Sequence, residues 1–252
     1  MEVEALAGLR ELVDAGALAF ARIGACVMLL PGIGGARVAM RMRLAFAILL
    51  AAVSAPLVGP VALSGTPLVL AASVGSEVAF GAVLGLVARL HLEAMRFAGS
   101  VIAGLVGFNP LGGTVIDGAE ADGALSALVA MGALMAIFVF GLHHDVLRAL
   151  IDTFRTAPVG TPFEPRSTLV LLTDAVTAAF AVALALCGPF VVYGLVGQML
   201  LGLVNKLAPT IPLYFIGMPA LIAGGLVMLA LAMPQLLAVH VEGFGTILDA
   251  AR

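Results

Sequence analysis

Long apolar runs, separated by short clusters of glycine, proline and charge, fill the chain from end to end. Residues 15–30 are apolar apart from Arg22, and Pro31 with Gly32, Gly34 and Gly35 ends that first predicted helix. Arg37, Arg41 and Arg43 follow. A second helix is predicted over 44–53, stopping at Pro56, Gly59 and Pro60, and it falls short of the about 20 residues that a bilayer crossing needs. Pro67 opens a third, 67–90, which carries Glu77 and, at small-xxx-small spacing, Gly81 and Gly85, so close packing against another helix is expected there. Arg89, His91, Glu93 and Arg96 form a polar turn, after which the apolar stretch 97–106 is too short to cross alone.

Beyond a glycine-rich stretch at 104–123, a fourth helix is expected over 124–142. His143, His144, Asp145, Arg148, Asp152 and Arg155 then make a charged, amphipathic exit. Pro158, Gly160, Pro162 and Pro165 mark a linker. Residues 168–204 are almost free of charge and 212–239 form a second long apolar run, joined through a tight turn that contains Asn205, Lys206 and Pro209. Two long helices with a short link read as a hairpin, its first arm longer than the hydrocarbon core at about 1.5 Å per residue. Gly194 and Gly197 within it imply further close helix contacts.

Counting basic residues gives no single topology. If 97–106 re-enters with the glycine stretch, the clusters at 37–43 and 89–96 lie on one side and that at 148–166 on the other; if it crosses, all three lie together. A segment too short to cross beside a helix too long to stop points to helices buried in a protein assembly instead of facing lipid.

The glycine stretch organises the rest. Gly107, Gly112, Gly113, Gly118 and Gly123 with Pro110 preclude a continuous helix, since inside one glycine costs about 1 kcal/mol and proline about 3 relative to alanine. Its first half is uncharged and carries Phe108, Leu111, Val115 and Ile116, which suits a loop packed in protein or across a narrow cavity, where irregular backbone at membrane depth is tolerated. A plain surface connector bent by its glycines is the competing reading.

Composition settles the class. With 62% hydrophobic and 11% charged residues among 252, against roughly 25% charged in soluble domains, this is an all-α integral membrane protein. A net charge of −3 without any Lys/Arg run excludes a nucleic-acid surface. Cys26 and Cys187, both inside apolar runs, read as inert buried thiols. The acidic first residues lack a basic n-region and a cleavage site, so no removed signal peptide is expected.

The common catalytic signatures, HExxH, GxSxG, GxGxxG, a P-loop and paired CxxC, are missing, and no enzymatic activity, cofactor or metal is expected. His143, His144 and Asp145 come nearest to a metal cluster, but adjacent helical positions point about 100° apart, so a helix-end polar cap is the better reading. Arg22 and Glu77 are costly in lipid and must be paired or face a polar interior; a structural pair outweighs an ion relay.

Read together, these segments resemble the FliR family of flagellar export-gate proteins and its SctT-type injectisome counterparts. The resemblance covers nearly the whole chain. It is carried by Arg22 followed by Pro31, the Gly34-Gly35 and Arg37, Arg41, Arg43 turn, Glu77 with Gly81 and Gly85, and the central glycine loop. Gly141, His143 and His144, Phe154 with Pro158 and Gly160, Pro189, and Asn205, Lys206 and Pro209 running into Phe215, Gly217 and Pro219 continue it. Ala39, where members often have proline, and Lys206, where many have arginine, depart from the pattern.

The resemblance implies a non-enzymatic subunit of the bacterial inner membrane and flagellar basal body. It would co-assemble with FliP-like and FliQ-like subunits into a helical export-gate complex, with an FlhB-like subunit around it and unfolded flagellar export substrates passing through. It further implies a FliP-like part, 1–166, and a FliQ-like long hairpin, 167–252. A plug loop at about 107–122 would project into the pore, with Gly107, Phe108, Asn109, Pro110, Leu111, Gly112, Gly113, Thr114, Val115 and Ile116 as its gate residues. Assembly residues are then Arg22, Arg37, Glu77, Gly81, Gly85, His143, His144, Lys206, Pro209, Gly217 and Pro219. Two alternatives stay open: an injectisome subunit, and a small-solute or ion transporter using Arg22, Glu77, His143 and His144.

Overall fold

A computed structural model describes residues 2–35, 38–59, 66–108, 123–209 and 213–250. Among the described residues seven helices follow one another: α1 (Glu2–Leu29), α2 (Met40–Val58), α3 (Pro67–Val106), α4 (Ala124–Val139), α5 (Leu142–Thr156), α6 (Pro165–Leu207) and α7 (Leu213–Ala250). No strand occurs among the described residues. Five of the helices are long and apolar enough to cross a membrane, and α4 with α5 make a sixth candidate if taken as one broken span.

Several boundaries differ from expectation for physical reasons. α1 begins at Glu2 because the charged residues before position 15 include no breaker. α2 runs on through Pro56, near its C-terminal end, where a proline removes one hydrogen bond and little of the helix lies beyond it. The polar turn 89–96 does not end a helix. α3 continues through it for 40 residues, so 97–106 is the last part of one long helix and no separate re-entrant segment, and Arg96 pairs with Glu93 one turn earlier at 3.3 Å. The charged exit after α4 is a distinct helix, α5, set off by Gly141 at φ 73°, a left-handed conformation that favours glycine. α6 extends to Leu207, so Asn205 and Lys206 are helical and the link to α7 starts later than predicted.

The helices form two compact units, to which α3, α6 and α7 each contribute a part. Unit one comprises Met1–His91, Gly141–Thr177 and Phe244–Arg252. Within it α1 and α2 pack as an antiparallel pair, Gly16 facing Ala55, and the core holds Leu18, Ile23, Val27, Val87, Val146 and Leu150. α5 is amphipathic and buries Leu142, Val146, Ala149, Leu150 and Phe154, while Asp145 pairs with Arg148 at 3.0 Å and Asp152 with Arg155 at 3.6 Å on its exposed face.

Unit two comprises Leu92–Phe140 and Ala178–Gly243. Here α6 and α7 run antiparallel with side chains of one helix seated on glycines of the other: Leu221 on Gly197, Leu201 on Gly217, and the Tyr193 hydroxyl beside Gly224, from which it donates to the Leu221 carbonyl at 2.6 Å. α4 approaches α3 at Gly99, where an added Cβ would sit 2.9 Å from the Ser126 Cα, and the Ser126 hydroxyl donates to the Arg96 carbonyl at 2.9 Å. The exposed surface of α6 within the hairpin is largely apolar, with Val192, Leu195, Val196, Met199, Leu200 and Leu203 exposed in this chain and Gln198 the polar residue among them.

Candidate functional site

Two places carry the residues that the sequence singles out. The first is in unit one, where Arg22 of α1 and Glu77 of α3 meet, both with fully buried side chains. The Arg22 Nε donates to Glu77 Oε2 at 2.7 Å, and its Nη1 donates to the Thr153 carbonyl at 2.9 Å and hydroxyl at 3.2 Å. The guanidinium lies between the rings of Phe80, 5.0 Å away, and Phe154, 4.5 Å away. Glu77 Oε1 accepts the backbone N–H of Gly160 at 3.0 Å. Two opposite charges removed from water are tolerable only with good geometry and further hydrogen bonds; both are present here for Nε, Nη1 and the carboxylate, while the buried Nη2 has no hydrogen-bond partner among the described residues.

Gly81 and Gly85 set the helix register around this pair. One turn past Glu77, a Cβ at position 81 would collide with the Arg22 carbonyl, and one turn further a Cβ at position 85 would sit 2.7 Å from the Cys26 carbonyl oxygen. The two positions on α1 are also four apart, so α1 and α3 run parallel with backbones in contact. That closeness is what lets Nε reach the carboxylate. Cys26 itself is buried and free, as is Cys187 in unit two.

The second place is the entry to the central loop, in unit two. α3 ends with the N–H of Gly107 on the Gly104 carbonyl at 3.2 Å and that of Phe108 on the Ala103 carbonyl at 2.9 Å. With Gly107 at φ 79°, this is the paired-bond stop that a left-handed glycine makes possible. The stop is clasped by the hairpin: a Cβ at Gly194 of α6 would lie 2.8 Å from the Leu105 carbonyl oxygen, Val106 methyls press on Gly225 of α7, and Met218 Cε covers Gly107. Asn109, Pro110, Leu111, Gly112, Gly113, Thr114, Val115 and Ile116 lie outside the described residues, as does Arg37.

The remaining candidates are scattered. His143 and His144 stand on the first turn of α5, at its N-terminal end and not at the end of the preceding helix, with rings 4.0 Å apart; the His144 side chain is exposed. Thr153, which holds Arg22, is about 15 Å further along α5 at 1.5 Å per residue, so the histidines do not join the buried pair. No group of three or more metal-ligating side chains occurs among the described residues. Lys206 and Pro209 are exposed at the hairpin's turn, Gly217 seats Leu201, and Pro219 lies within the early part of α7.

Some contacts are invisible in the residue pattern, among them that of Thr153 with Arg22. Gly160 contributes a backbone donor, for which no side chain signals, and Arg43 folds back to donate to the Gly34 carbonyl at 3.1 Å, closing the turn after α1.

Known proteins are similar to this chain in sequence over much of its length. The model of the family described as bacterial export proteins, family 1, matches residues 13–247. A flagellar biosynthetic protein FliR of Caulobacter vibrioides is 30% identical over 239 residues, covering 92% of this chain and 94% of that one. FliR of Escherichia coli is 29% identical over 160 residues, 63% of this chain and 60% of its own, and FliR of Bacillus subtilis 26% over 183 residues, 70% and 69%. With a match that includes both the buried Arg22–Glu77 pair and the clasped entry to the central loop, the chain belongs to the FliR family of bacterial export proteins.

Proposed function

We propose that this chain is a non-enzymatic core subunit of the flagellar type III protein export gate, in the bacterial inner membrane at the flagellar basal body. It would form, with FliP-like and FliQ-like subunits and an FlhB-like neighbour, the channel entrance for unfolded export substrates. The observation that carries this reading is the chain-long match to relatives named as flagellar biosynthetic proteins. The same names favour the flagellar system over an injectisome. Residues 1–166 act in this reading as a FliP-like part and 167–252 as a FliQ-like hairpin, whose exposed apolar face is suited to neighbouring subunits as well as lipid. A transporter path through Arg22, Glu77, His143 and His144 gains no support, since the first two are sealed from solvent and the others stand elsewhere on α5.

Within this function the loop from Gly107 to Ile116 acts as a plug. An uncharged loop bearing Phe108, Leu111, Val115 and Ile116 closes a narrow pore by excluding water, and burial of each CH₂ favours closure by about 0.8 kcal/mol. Deleting 108–115 should leave the complex assembled, raise ion conductance of the resting membrane and retain some secretion; a charged substitution at Leu111 should leak as well. The measurement is membrane conductance in cells with verified, equal amounts of assembled gate. Tight membranes in the deletion strain would defeat the plug, and failure to assemble would favour a structural connector.

A further inference from the structure

Glu77 is fully buried, yet the group that caps its outer oxygen is not. Gly160, which donates to Oε1, is exposed, and a Cβ built on it would meet nothing within 4 Å. A single layer of backbone therefore separates the carboxylate from the outside of unit one. That layer is the connector between α5 and α6, residues 157–164. Besides the Gly160 hydrogen bond, the Phe163 ring meets Phe80 edge-on at 5.5 Å. Thr161 spends its N–H and hydroxyl inside the connector, on the Pro158 carbonyl. Pro158 and Pro162 have no N–H to give.

Beside these attachments lies a cavity of about 310 Å³. Phe80 and Leu84 of α3, Thr156 and Ala157 at the connector's start, and Thr168 and Leu171 at the foot of α6 line it. The connector thus has open space next to its first residue, Ala157, and beside Phe80, the ring on which Phe163 rests.

We propose that residues 157–164 form a releasable strap over the Arg22–Glu77 pair, held by Gly160 N–H on Glu77 and by Phe163 on Phe80, that opens locally while the helices beneath stay packed. Lifting it vacates one carboxylate oxygen and admits water to the pair, so anything that binds the lifted form shifts the chain toward it. The strap belongs to unit one alone and stands whether or not the loop at 107–116 is a plug.

Gly160 itself supplies a clean probe. At φ 85° with open space around it, Gly160→Ala keeps the donor N–H and touches nothing new; only the backbone is strained. The strap's opening equilibrium should rise about tenfold, which corresponds to about 1.4 kcal/mol and falls within the cost of a left-handed L-residue. Phe163→Ala loosens the other attachment independently.

The test is hydrogen exchange by mass spectrometry on the full-length chain in detergent, purified with its co-purifying partners, for the wild type and both variants. In the wild type the peptide over 158–163, with only Val159, Gly160, Thr161 and Phe163 carrying amides, should show protection that is lost well before that of peptides over 18–27 and 76–88. In both variants its exchange should quicken about tenfold while the helix peptides hold. Strap and helix peptides exchanging together in all three proteins would show that the segment opens only with the core, and absence of protection in the wild type would show that it is never closed; either result overturns the proposal.

Discussion

Removing Glu77 should be among the most damaging single changes available in unit one. In Glu77→Ala the Arg22 guanidinium keeps Thr153 as its hydrogen-bonding partner and the rings of Phe80 and Phe154 as its flanks, with no counter-charge and no exposed surface. Breaking a buried pair by taking one partner costs about 3–5 kcal/mol, because the remaining charge stays desolvated. The cation–π contacts do not offset this, since they are present in both proteins. Loss of the Gly160 acceptor frees the connector at that point, an effect confined to an exposed residue whose N–H water can then reach. Against a domain stability of about 5–15 kcal/mol, the loss amounts to a third or more at mid-range. The double change Arg22→Leu with Glu77→Leu, by contrast, leaves no charge behind and should be far milder than either single change. The assay is the detergent-extracted yield and thermal aggregation midpoint of the tagged chain, co-expressed with FliP-like and FliQ-like partners. The expected order is wild type, then double variant, then the two single variants. A Glu77→Ala protein with wild-type yield and midpoint would refute the reasoning and make the site solvated.

Three further outcomes follow from the same geometry. Gly81→Ala, whose methyl collides with the Arg22 carbonyl, should lower yield strongly, whereas Gly75→Ala on the same helix meets nothing within 4 Å and should be neutral or slightly stabilising; equal effects at the two sites would remove the close-approach argument. Replacing His143 and His144 together by Asn should leave export and motility intact, and a loss that added metal mimics or reverses would revive the transporter reading. Expressed without partners, the chain should be unstable and protease-sensitive, because α3 and α6, 40 and 43 residues long, are about twice the length that a bilayer crossing covers and leave apolar side chains without lipid; a monodisperse, resistant single protein, unchanged by adding FliP and FliQ homologues, would contradict obligate assembly.

The buried pair and the close helix contact beside it are legible in the residue pattern alone. An arginine and a glutamate inside apolar runs cost too much in lipid to stand alone, so Arg22 and Glu77 have to find polar company, and the spacing of Gly81 and Gly85 tells where α3 lies against another backbone. Helix boundaries are harder to read where hydropathy and breaking disagree. The turn from Arg89 to Arg96 is polar but has neither glycine nor proline, so nothing stops α3 there, and Glu93 with Arg96 supports it from outside. Conversely Gly141 is one residue in an apolar stretch, and only its left-handed backbone divides α4 from α5.

What composition hides altogether is partnership through the main chain. Glu77 is completed by an amide of Gly160, 83 positions away, Arg22 by a carbonyl of Thr153, and the stop at Gly107 by carbonyls one turn back. Backbone groups are the same at every residue, so no residue type marks them. They become predictable only through conformation: a left-handed position is where glycine is worth its entropy, and both Gly107 and Gly160 occupy such positions. Each also falls at a point that the sequence singles out for another reason, the start of the uncharged loop in one case and a proline-rich linker in the other. A glycine that interrupts a membrane chain is therefore better read as a candidate main-chain donor than as a hinge alone, and the exchange rate of the Gly160 amide tests that reading at the one position where the acceptor is a buried carboxylate.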